Sequence, residues 1–391
     1  MYIAILGRQP ALSIAELERV FDNVEWFSDT TAIFDADTVD VQRLGGTQKA
    51  GKVVLELPGG DWHRVSQKIV QYYKKQWAGY DGKITLGLSA YGFDVSIRDI
   101  QKTGIVLKAK LKNSGTSLRL LPNKEAELNT ATSHHNKLGL SPHKVELLVV
   151  RSKRGLIVAE SVGAQNITAL AARDQGRPRR DAFVGMLPPK LAQIMINLAG
   201  PLQPSTKDLN VARILDPFCG TGVLLQEAML LGYGAYGTDL NEKMVRYSRD
   251  NLNWLQETYK FAGHWYLHEG DATNTTWQKP VDAVVAETYL GQPFSAPPSA
   301  TKLGEVRGNC DFIIRGFLKN LAQQIDSGTP VILAVPAWRN KDGQLTHLPL
   351  TNKLEKFGFT VTTFETVKPS DLVYFRPDQI VARQLLVLTK S

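Results

Sequence analysis

The chain has 391 residues, 43% of them apolar, and a formal net charge of +8. This length predicts about two to three domains. No apolar run approaches the roughly 18 residues of a membrane span, and the N-terminal stretch lacks a basic signal-peptide start. Two cysteines are too few for a disulfide framework or a zinc cluster. We therefore expect a cytoplasmic globular protein without a metal site.

The charge is unevenly distributed along the chain. Residues 1–50 carry 4 Lys or Arg and 8 Asp or Glu, residues 51–180 carry 22 and 10, and residues 181–391 carry 20 of each. A basic excess confined to one segment predicts a nucleic-acid-binding part attached to a neutral part. The alternative interpretation is a lysine-rich surface exposed to water.

The first 170 residues predict a mixture of strands and helices. "YIAIL" reads as a strand, and "PALSIAELERVF" reads as a helix with Ser13 as N-cap and Glu16 completing a capping box. We assign residues 1–50 to an N-terminal α/β module. Residues 51–170 form a second predicted domain, which ends in a hairpin made by "KVELLVVRS" and "RGLIVAESVG".

The remaining chain predicts a linker followed by an α/β domain. Residues 171–185 form the predicted linker, which contains Arg173, Arg177, Arg179 and Arg180. From residue 211 onward strands and helices alternate, and "FTVTTFE" pairs with "QIVARQLLVLT" as a closing hairpin. Alternation of this kind predicts a doubly wound, mostly parallel sheet over residues 186–391.

The segment "ILDPFCGTGVLLQEA" predicts a strand, a glycine turn and a helix. Gly220 and Gly222 allow a tight turn and a close approach of the backbone to a ligand. A nicotinamide-binding turn has a third glycine where this chain has Leu225. The carboxylate of Asp216 would repel a pyrophosphate and suits a cationic ligand such as S-adenosylmethionine.

Four successive predicted strands end in a carboxylate: Asp216, Asp239, Asp271 and Glu287. Doubly wound sheets bind ligands at the edge where these strand ends meet. Asp239 is placed to hold two ribose hydroxyls, and Asp271 to accept the adenine amino group. For each residue alone, the alternative is a capping or loop carboxylate. The predicted cofactor site is completed by Phe218, Leu240, Ala272 and Glu287.

Several segments together resemble one known family. They are "YIAILGRQPALSIAELE", "LNTATSHHNKLG", "AESVGAQNITALAARDQGRPRRD", "GMLPPKLAQIMINLAG" and "ILDPFCGTGVLLQEA". The chain is similar to the THUMP-domain Rossmann methyltransferases that methylate the exocyclic N2 amine of a tRNA guanosine, the guanosine-10 N2-methyltransferase group.

The resemblance implies a THUMP RNA-binding domain over residues 51–170 and a methyltransferase domain after it. It also implies S-adenosylmethionine binding by Asp216, Gly220, Gly222, Asp239 and Asp271. The "GMLPPK" stretch, with Pro188 and Lys190, would border the cofactor pocket. We expect tRNA as partner, contacted by the linker arginines and Lys190, and leave open a small activating subunit.

The chain departs from the family after the fourth strand. Where the family has Asp-Pro-Pro-Tyr-Gly, this chain has "ETYLG", residues 287–291. We expect Glu287 to accept a hydrogen of the substrate amine and Tyr289 to stack on the base. Thr288 does not restrict the backbone as proline does.

The sequence therefore predicts an S-adenosylmethionine-dependent tRNA methyltransferase acting on guanine N2. One alternative is a catalytically silent tRNA-binding protein that retains the fold. A second is a DNA amino-methyltransferase, which the basic THUMP-like segment disfavours because folded RNA is read by shape over a broad basic face.

Overall fold

The computed structural model describes residues 1–181, 187–205, 211–294, 296–340, 342–377 and 379–391. The chain divides into two compact units. The first unit contains residues 1–10 and 21–169, and the second contains residues 11–20 and 170–391.

One eight-stranded sheet forms the frame of the first unit. Its strands are β1 (Tyr2–Leu6), β2 (Asp22–Ser28), β3 (Thr31–Asp35), β4 (Thr47–Leu57), β5 (Lys83–Tyr91), β6 (Ser117–Leu120), β7 (Lys144–Ser152) and β8 (Gly155–Ala164). Their order across the sheet is β2-β3-β1-β4-β8-β7-β5-β6. The predicted hairpin of β7 and β8 is confirmed by their antiparallel pairing.

Three helices accompany this sheet: α2 (Trp62–Gln76), α3 (Ile97–Lys112) and α4 (Thr130–His135). Apolar residues of α2 and α3 share one buried cluster with residues of β5 and β7; for example, Ile69 and Leu107 lie in the same cluster as Leu147. This arrangement follows from the apolar face that each of the two longer helices carries.

The predicted boundary at residue 50 falls inside β4. Ala4 of β1 pairs with Ala50, and Lys49 pairs with Ala164 of β8, so β4 is bonded on both sides. A single sheet thus extends across the two domains that the sequence predicts for residues 1–50 and 51–170.

Helix α1 (Pro10–Val20) belongs mainly to the second unit. It begins at Pro10, a residue type favoured at the first helical position. Ser13 and Glu16 are buried inside the helix, so the predicted N-cap at Ser13 is wrong. Glu16 instead accepts a hydrogen bond from the side chain of Asn197 at 2.7 Å.

The second sheet contains seven strands in its main path. They are β9 (Arg213–Asp216), β10 (Gly234–Asp239), β11 (Trp265–Glu269), β12 (Ala283–Glu287), β13 (Pro330–Arg339), β15 (Phe359–Val361) and β17 (Val381–Lys390). The order is β11-β10-β9-β12-β13-β17-β15. The short strands β14 (Leu345–Thr346) and β16 (Val373–Tyr374) pair with β13 and β17.

The strands β9 to β13 are parallel, and β17 runs antiparallel to both β13 and β15. This confirms the doubly wound, mostly parallel sheet and its closing antiparallel pair. The helices of the unit are α5 (Ile167–Gln175), α6 (Pro189–Leu198), α7 (Val223–Leu230), α8 (Glu242–Tyr259) and α9 (Ala300–Ala322).

The predicted linker, residues 171–185, is not uniformly irregular. Helix α5 continues through its first five residues, and residues 182–185 lie outside the described residues. Across the described ranges, none of the helices combines the length and the apolar character needed to cross a bilayer.

Candidate active site at the carboxyl edge of the second sheet

A cavity of about 630 Å³ lies at the carboxyl ends of β9, β10 and β12. The order of strands in the sheet reverses between β9 and β12, which is where doubly wound sheets place their ligands. Nine predicted site residues line the cavity: Asp216, Phe218, Gly220, Asp239, Leu240, Asp271, Ala272, Glu287 and Tyr289. Its volume falls within the range of about 300–1,000 Å³ that is usual for small-molecule sites.

The glycine turn after β9 depends on Gly222. This residue is the N-cap of α7 and has φ +81°, a conformation that side chains other than that of glycine rarely adopt. A Cβ atom placed on Gly222 would lie 2.9 Å from Oγ of Ser248. The Ser248 hydroxyl donates to the carbonyl oxygen of Gly220 at 2.8 Å. Gly222 therefore shapes the turn beside the cavity, although it is not itself one of the lining residues.

Asp239 joins the end of β10 to the glycine turn. Its Oδ2 accepts the backbone N–H of Gly220 at 2.9 Å, and its Oδ1 accepts that of Asn241 at 2.9 Å. Burial raises the pKa of the Asp239 carboxyl, and these two hydrogen bonds act in the opposite direction. Because a carboxylate has about four acceptor positions, each oxygen retains capacity for a further donor.

Asp216 is the most deeply buried of the four carboxylates that line the cavity, with an exposed fraction of 2%. Burial raises its pKa well above the ordinary value, and the charges of Asp239 and Glu287 raise it further. Its Oδ1 accepts the backbone N–H of Phe218 at 3.1 Å. A cationic ligand in the cavity would favour the ionised form of Asp216.

Asp271 leaves one carboxylate oxygen available. Its Oδ1 accepts both the backbone N–H and the hydroxyl of Thr273, at 2.9 and 2.8 Å. Within the described part of the chain, Oδ2 has no hydrogen-bond donor and is a candidate acceptor for a ligand amine. The same ranges contain no group of three His, Cys, Asp or Glu residues suited to a metal ion.

Hydrogen bonds hold the "ETYLG" backbone where the family motif has proline. Thr288 is buried, and it donates both its backbone N–H and its hydroxyl to the carbonyl oxygen of Ala334 in β13, at 3.0 and 3.1 Å. The loss of proline is therefore compensated locally, a compensation that sequence reasoning missed.

Gly291 brings the loop after β12 close to α9. It has φ +82°, and a Cβ atom there would lie 2.6 Å from Cγ1 of Val306. Helix α9 contributes Asn309, Phe312 and Ile313 to the cavity lining. Only glycine at position 291 permits this close approach of the loop to the helix.

Phe312 is a site residue that sequence reasoning missed. Its exposed fraction is 77%, and that of Tyr289 is 41%, although both side chains line the cavity. The sequence shows a phenylalanine on a predicted helix. Which face of α9 is turned toward the cavity must also be known before this residue can be recognised as part of the site.

A second missed residue is Arg383 in β17. Its Nε donates to Oε1 of Glu287, forming an ion pair. The side chain of Arg383 is 6% exposed and that of Glu287 is 13% exposed. Arg383 does not line the cavity, and among the described residues its ion pair with Glu287 connects it to the site.

The predicted RNA-binding arginines separate into buried and exposed pairs. Arg173 is buried and bonds to both carboxylate oxygens of Glu227, at 2.6 and 3.1 Å. Arg177 is also buried, which lowers its pKa, and its guanidinium has no hydrogen-bond acceptor among the described residues. Neither placement offers a guanidinium to an RNA phosphate. Arg179 and Arg180 are exposed.

The remaining predicted residues lie near the start of α6. Lys190 is half-buried in the first turn of α6, and Pro188 is the N-cap of that helix. Neither lines the cavity, whereas the adjacent Leu187 does. The other part of the "GMLPPK" prediction, residues 185 and 186, lies outside the described residues.

Comparisons with known proteins find similar methyltransferases. Residues 177–310 match the family model described as UPF0020, RMKL-like, methyltransferase domain. The chain is 32% identical over 165 residues to tRNA (guanine(10)-N2)-dimethyltransferase of Methanothermobacter thermautotrophicus, covering 42% of this chain and 43% of that protein. It is 34% identical over 119 residues to the Pyrococcus abyssi protein of the same name, covering 29% of each. The matched part thus spans less than half the length of either relative.

The fold also has a counterpart of known structure. The crystal structure of TrmN from Thermus thermophilus aligns over 100% of this chain and 99% of its own, with a TM-score of 0.50 and 16% identity. At this identity the likeness concerns the fold alone. The family match confirms the resemblance that the sequence motifs indicate. Residues 177–310 of this chain are therefore similar to the methyltransferase domain of the UPF0020, RMKL-like family.

Proposed function

We propose that the protein is a cytoplasmic, S-adenosylmethionine-dependent methyltransferase that modifies the exocyclic N2 amine of a guanosine in tRNA. The observation that carries the proposal is the meeting of Asp216, Asp239 and Asp271 with Glu287 around one cavity. The names of the two archaeal relatives support tRNA guanosine as the substrate.

The residues present fit this cofactor. When bound, S-adenosylmethionine supplies an electrophilic methyl group on a cationic sulfonium. The carboxyl groups of Asp216, Asp239 and Glu287 line the cavity, and a cationic ligand there would favour the ionised form of Asp216. Asp239 retains lone pairs for the ribose hydroxyls, and Oδ2 of Asp271 is available for the adenine amino group.

Glu287 acts on the acceptor amine. The nitrogen of an aryl amine is a weak nucleophile because its lone pair is delocalised into the ring. Glu287 accepts a hydrogen bond from this amine, orients its lone pair and takes up the proton that the amine loses on methylation. The exposed rings of Tyr289 and Phe312 provide surfaces for the base, and stacking of this kind contributes about 1–3 kcal/mol per base.

The basic segment provides the binding of RNA. Residues 51–180 have a net charge of +12, which attracts a polyanion and makes affinity depend on salt through the release of counterions. Most of this segment lies in the first unit, in keeping with a THUMP-like role for residues 51–170.

One observation favours a second candidate, the catalytically silent tRNA-binding protein. The ion pair with Arg383 occupies Oε1 of Glu287 and neutralises its charge. If this ion pair has only a structural role, the protein keeps its fold and binds RNA but does not transfer methyl groups.

A methyl-transfer assay separates the two candidates. The purified protein is incubated with radiolabelled S-adenosylmethionine and unmodified tRNA transcripts, and the RNA is digested to identify the nucleoside. We expect label in N2-methylated guanosine. Glu287→Gln should lower the single-turnover rate by about 10²-fold while cofactor and tRNA affinities persist.

The matched control is Glu269→Gln, which alters an exposed glutamate at the end of β11, the edge strand of the same sheet. This variant should retain the wild-type rate because Glu269 does not line the cavity. Transfer to no RNA by the wild-type protein would favour the silent candidate, whereas equal measurable rates for wild type and Glu287→Gln would remove Glu287 from the proposed mechanism.

A further inference from the structure

The ion pair between Glu287 and Arg383 links two strands that are not neighbours. Glu287 at the end of β12 pairs with Ala334 of β13, and Ala334 pairs with Leu385 of β17. Residues that pair directly across strands present their side chains on the same face of the sheet. Arg383 lies two residues before Leu385, so it shares that face.

Short side chains on β13 lie between the two partners. On the shared face, β13 carries Ala334 opposite Glu287 and Pro336 opposite Arg383. The long side chain of Arg383 crosses this strand to reach Oε1 of Glu287. Because both side chains are largely buried, the pair is poorly screened by water and salt.

The ion pair leaves the second carboxylate oxygen of Glu287 available as a hydrogen-bond acceptor. Among the described residues, Oε2 of Glu287 has no hydrogen-bond donor, and Glu287 lines the cavity. One oxygen is thus fixed by Arg383 while the other remains available on the cavity side. Glutamate has more rotatable bonds than aspartate, and its use as an acceptor requires that this freedom be restricted.

We propose that Arg383 is a positioning residue for Glu287. Its Nε binds Oε1 and holds the carboxylate in one conformation, so that Oε2 receives the hydrogen of the acceptor amine. This inference rests on the proposed function. It gives Glu287, the glutamate of the "ETYLG" loop, a partner in β17 that lies outside the loop.

A double-mutant cycle in single-turnover methyl transfer tests the proposal. Arg383→Met keeps most of the apolar length of the side chain but removes the donor and the charge. It should lower the rate by about tenfold or more in the wild-type background, an effect within the range seen for coupled neighbours. In the Glu287→Gln background it should lower the rate by less than about threefold, because the group through which it acts is already lost.

Two further variants separate positioning from a merely structural role. Arg383→Lys, which keeps the charge, should recover part of the rate lost in Arg383→Met. Arg339→Met is the matched control, since Arg339 is an arginine of the same sheet whose guanidinium lies 4.6 Å from the Phe375 ring centre; it should retain the wild-type rate. Affinity for S-adenosylhomocysteine, measured by calorimetry, should stay within about twofold in every variant.

The outcomes distinguish this inference from the proposed function. If the wild-type protein transfers methyl groups but Arg383→Met and Glu287→Gln lower the rate independently, Arg383 has only a structural role and the inference is overturned. If Arg383→Met does not fold, Arg383→Leu takes its place in the cycle, and a rate for that variant equal to that of wild type would overturn the inference equally. No transfer by the wild-type protein would overturn both proposals.

Discussion

The carboxylate of Asp239 accepts the backbone N–H of Gly220 at 2.9 Å, across 19 residues of sequence. This bond connects the end of β10 with the glycine turn after β9. A ligand that binds Asp239 therefore meets a turn whose geometry that same residue helps to set.

Replacement of Asp239 by Ala should weaken cofactor binding. The change removes the predicted acceptor for the ribose hydroxyls, and charge-assisted hydrogen bonds contribute about 1.5–3 kcal/mol each. We expect at least a tenfold loss of affinity for S-adenosylhomocysteine, measured by calorimetry. Asp239→Asn, which keeps an oxygen for the Gly220 N–H, should lose less. Unchanged affinity in Asp239→Ala would remove Asp239 from the site.

The positions of the acidic strand ends were predictable, because the order of the strands along the chain and their parallel direction are enough to place them. Strands that alternate with helices become parallel, and their carboxyl ends then share one edge. Asp216, Asp239, Asp271 and Glu287 accordingly meet around one cavity. This inference requires no knowledge of side-chain packing.

The partner of Glu287 was not predictable in this way. Arg383 lies 96 residues further along the chain, and its strand is antiparallel. Its reach depends on the register of β17 against β13 and on a small residue at Ala334, neither of which a single sequence reveals. The capping error at Ser13 has a similar origin, because the burial of α1 depends on partners near residue 197.

Replacement of Phe312 by Ala should weaken the use of tRNA. Loss of one stacking surface costs about 1–3 kcal/mol, so we expect the KM for tRNA to rise by about fivefold or more. Affinity for S-adenosylhomocysteine should change less. Phe312→Tyr, which keeps the ring, is the control and should retain the wild-type KM. An unaltered KM for tRNA in Phe312→Ala would show that Phe312 does not stack on a base of the tRNA.

Joint replacement of Arg179 and Arg180 by Glu should weaken tRNA binding. Both residues are exposed, and loss of phosphate contacts reduces the salt dependence of affinity by about one unit of slope per contact. The measurement is tRNA affinity by filter binding over a series of salt concentrations. Arg246→Glu on the exposed face of α8 is a control for charge alone. The same slope in the double variant and the wild type would place the RNA elsewhere.

The linkage between stability and pH should be abnormal at Asp216. Burial raises the pKa of its carboxyl well above the value of 3.8 that applies in the unfolded chain. Between these two values the folded state holds a proton that the unfolded state has lost. The stability contributed by this protonated carboxyl is complete below pH 3.8 and is lost as the pH rises through the folded pKa.

Asp216→Asn should therefore change the pH profile in a defined direction. The amide cannot ionise, so the free energy of unfolding of the variant, relative to wild type, should increase as the pH rises through that window. The measurement is urea unfolding at a series of pH values. Asp29→Asn, at an exposed turn of the first unit, should follow the wild-type profile.

Binding of cationic S-adenosylmethionine should show the reverse tendency, because the wild-type affinity increases as Asp216 loses its proton, whereas Asp216→Asn lacks this increase. Parallel stability profiles for wild type and Asp216→Asn would show that Asp216 ionises normally and would contradict the raised pKa that burial gives this carboxyl.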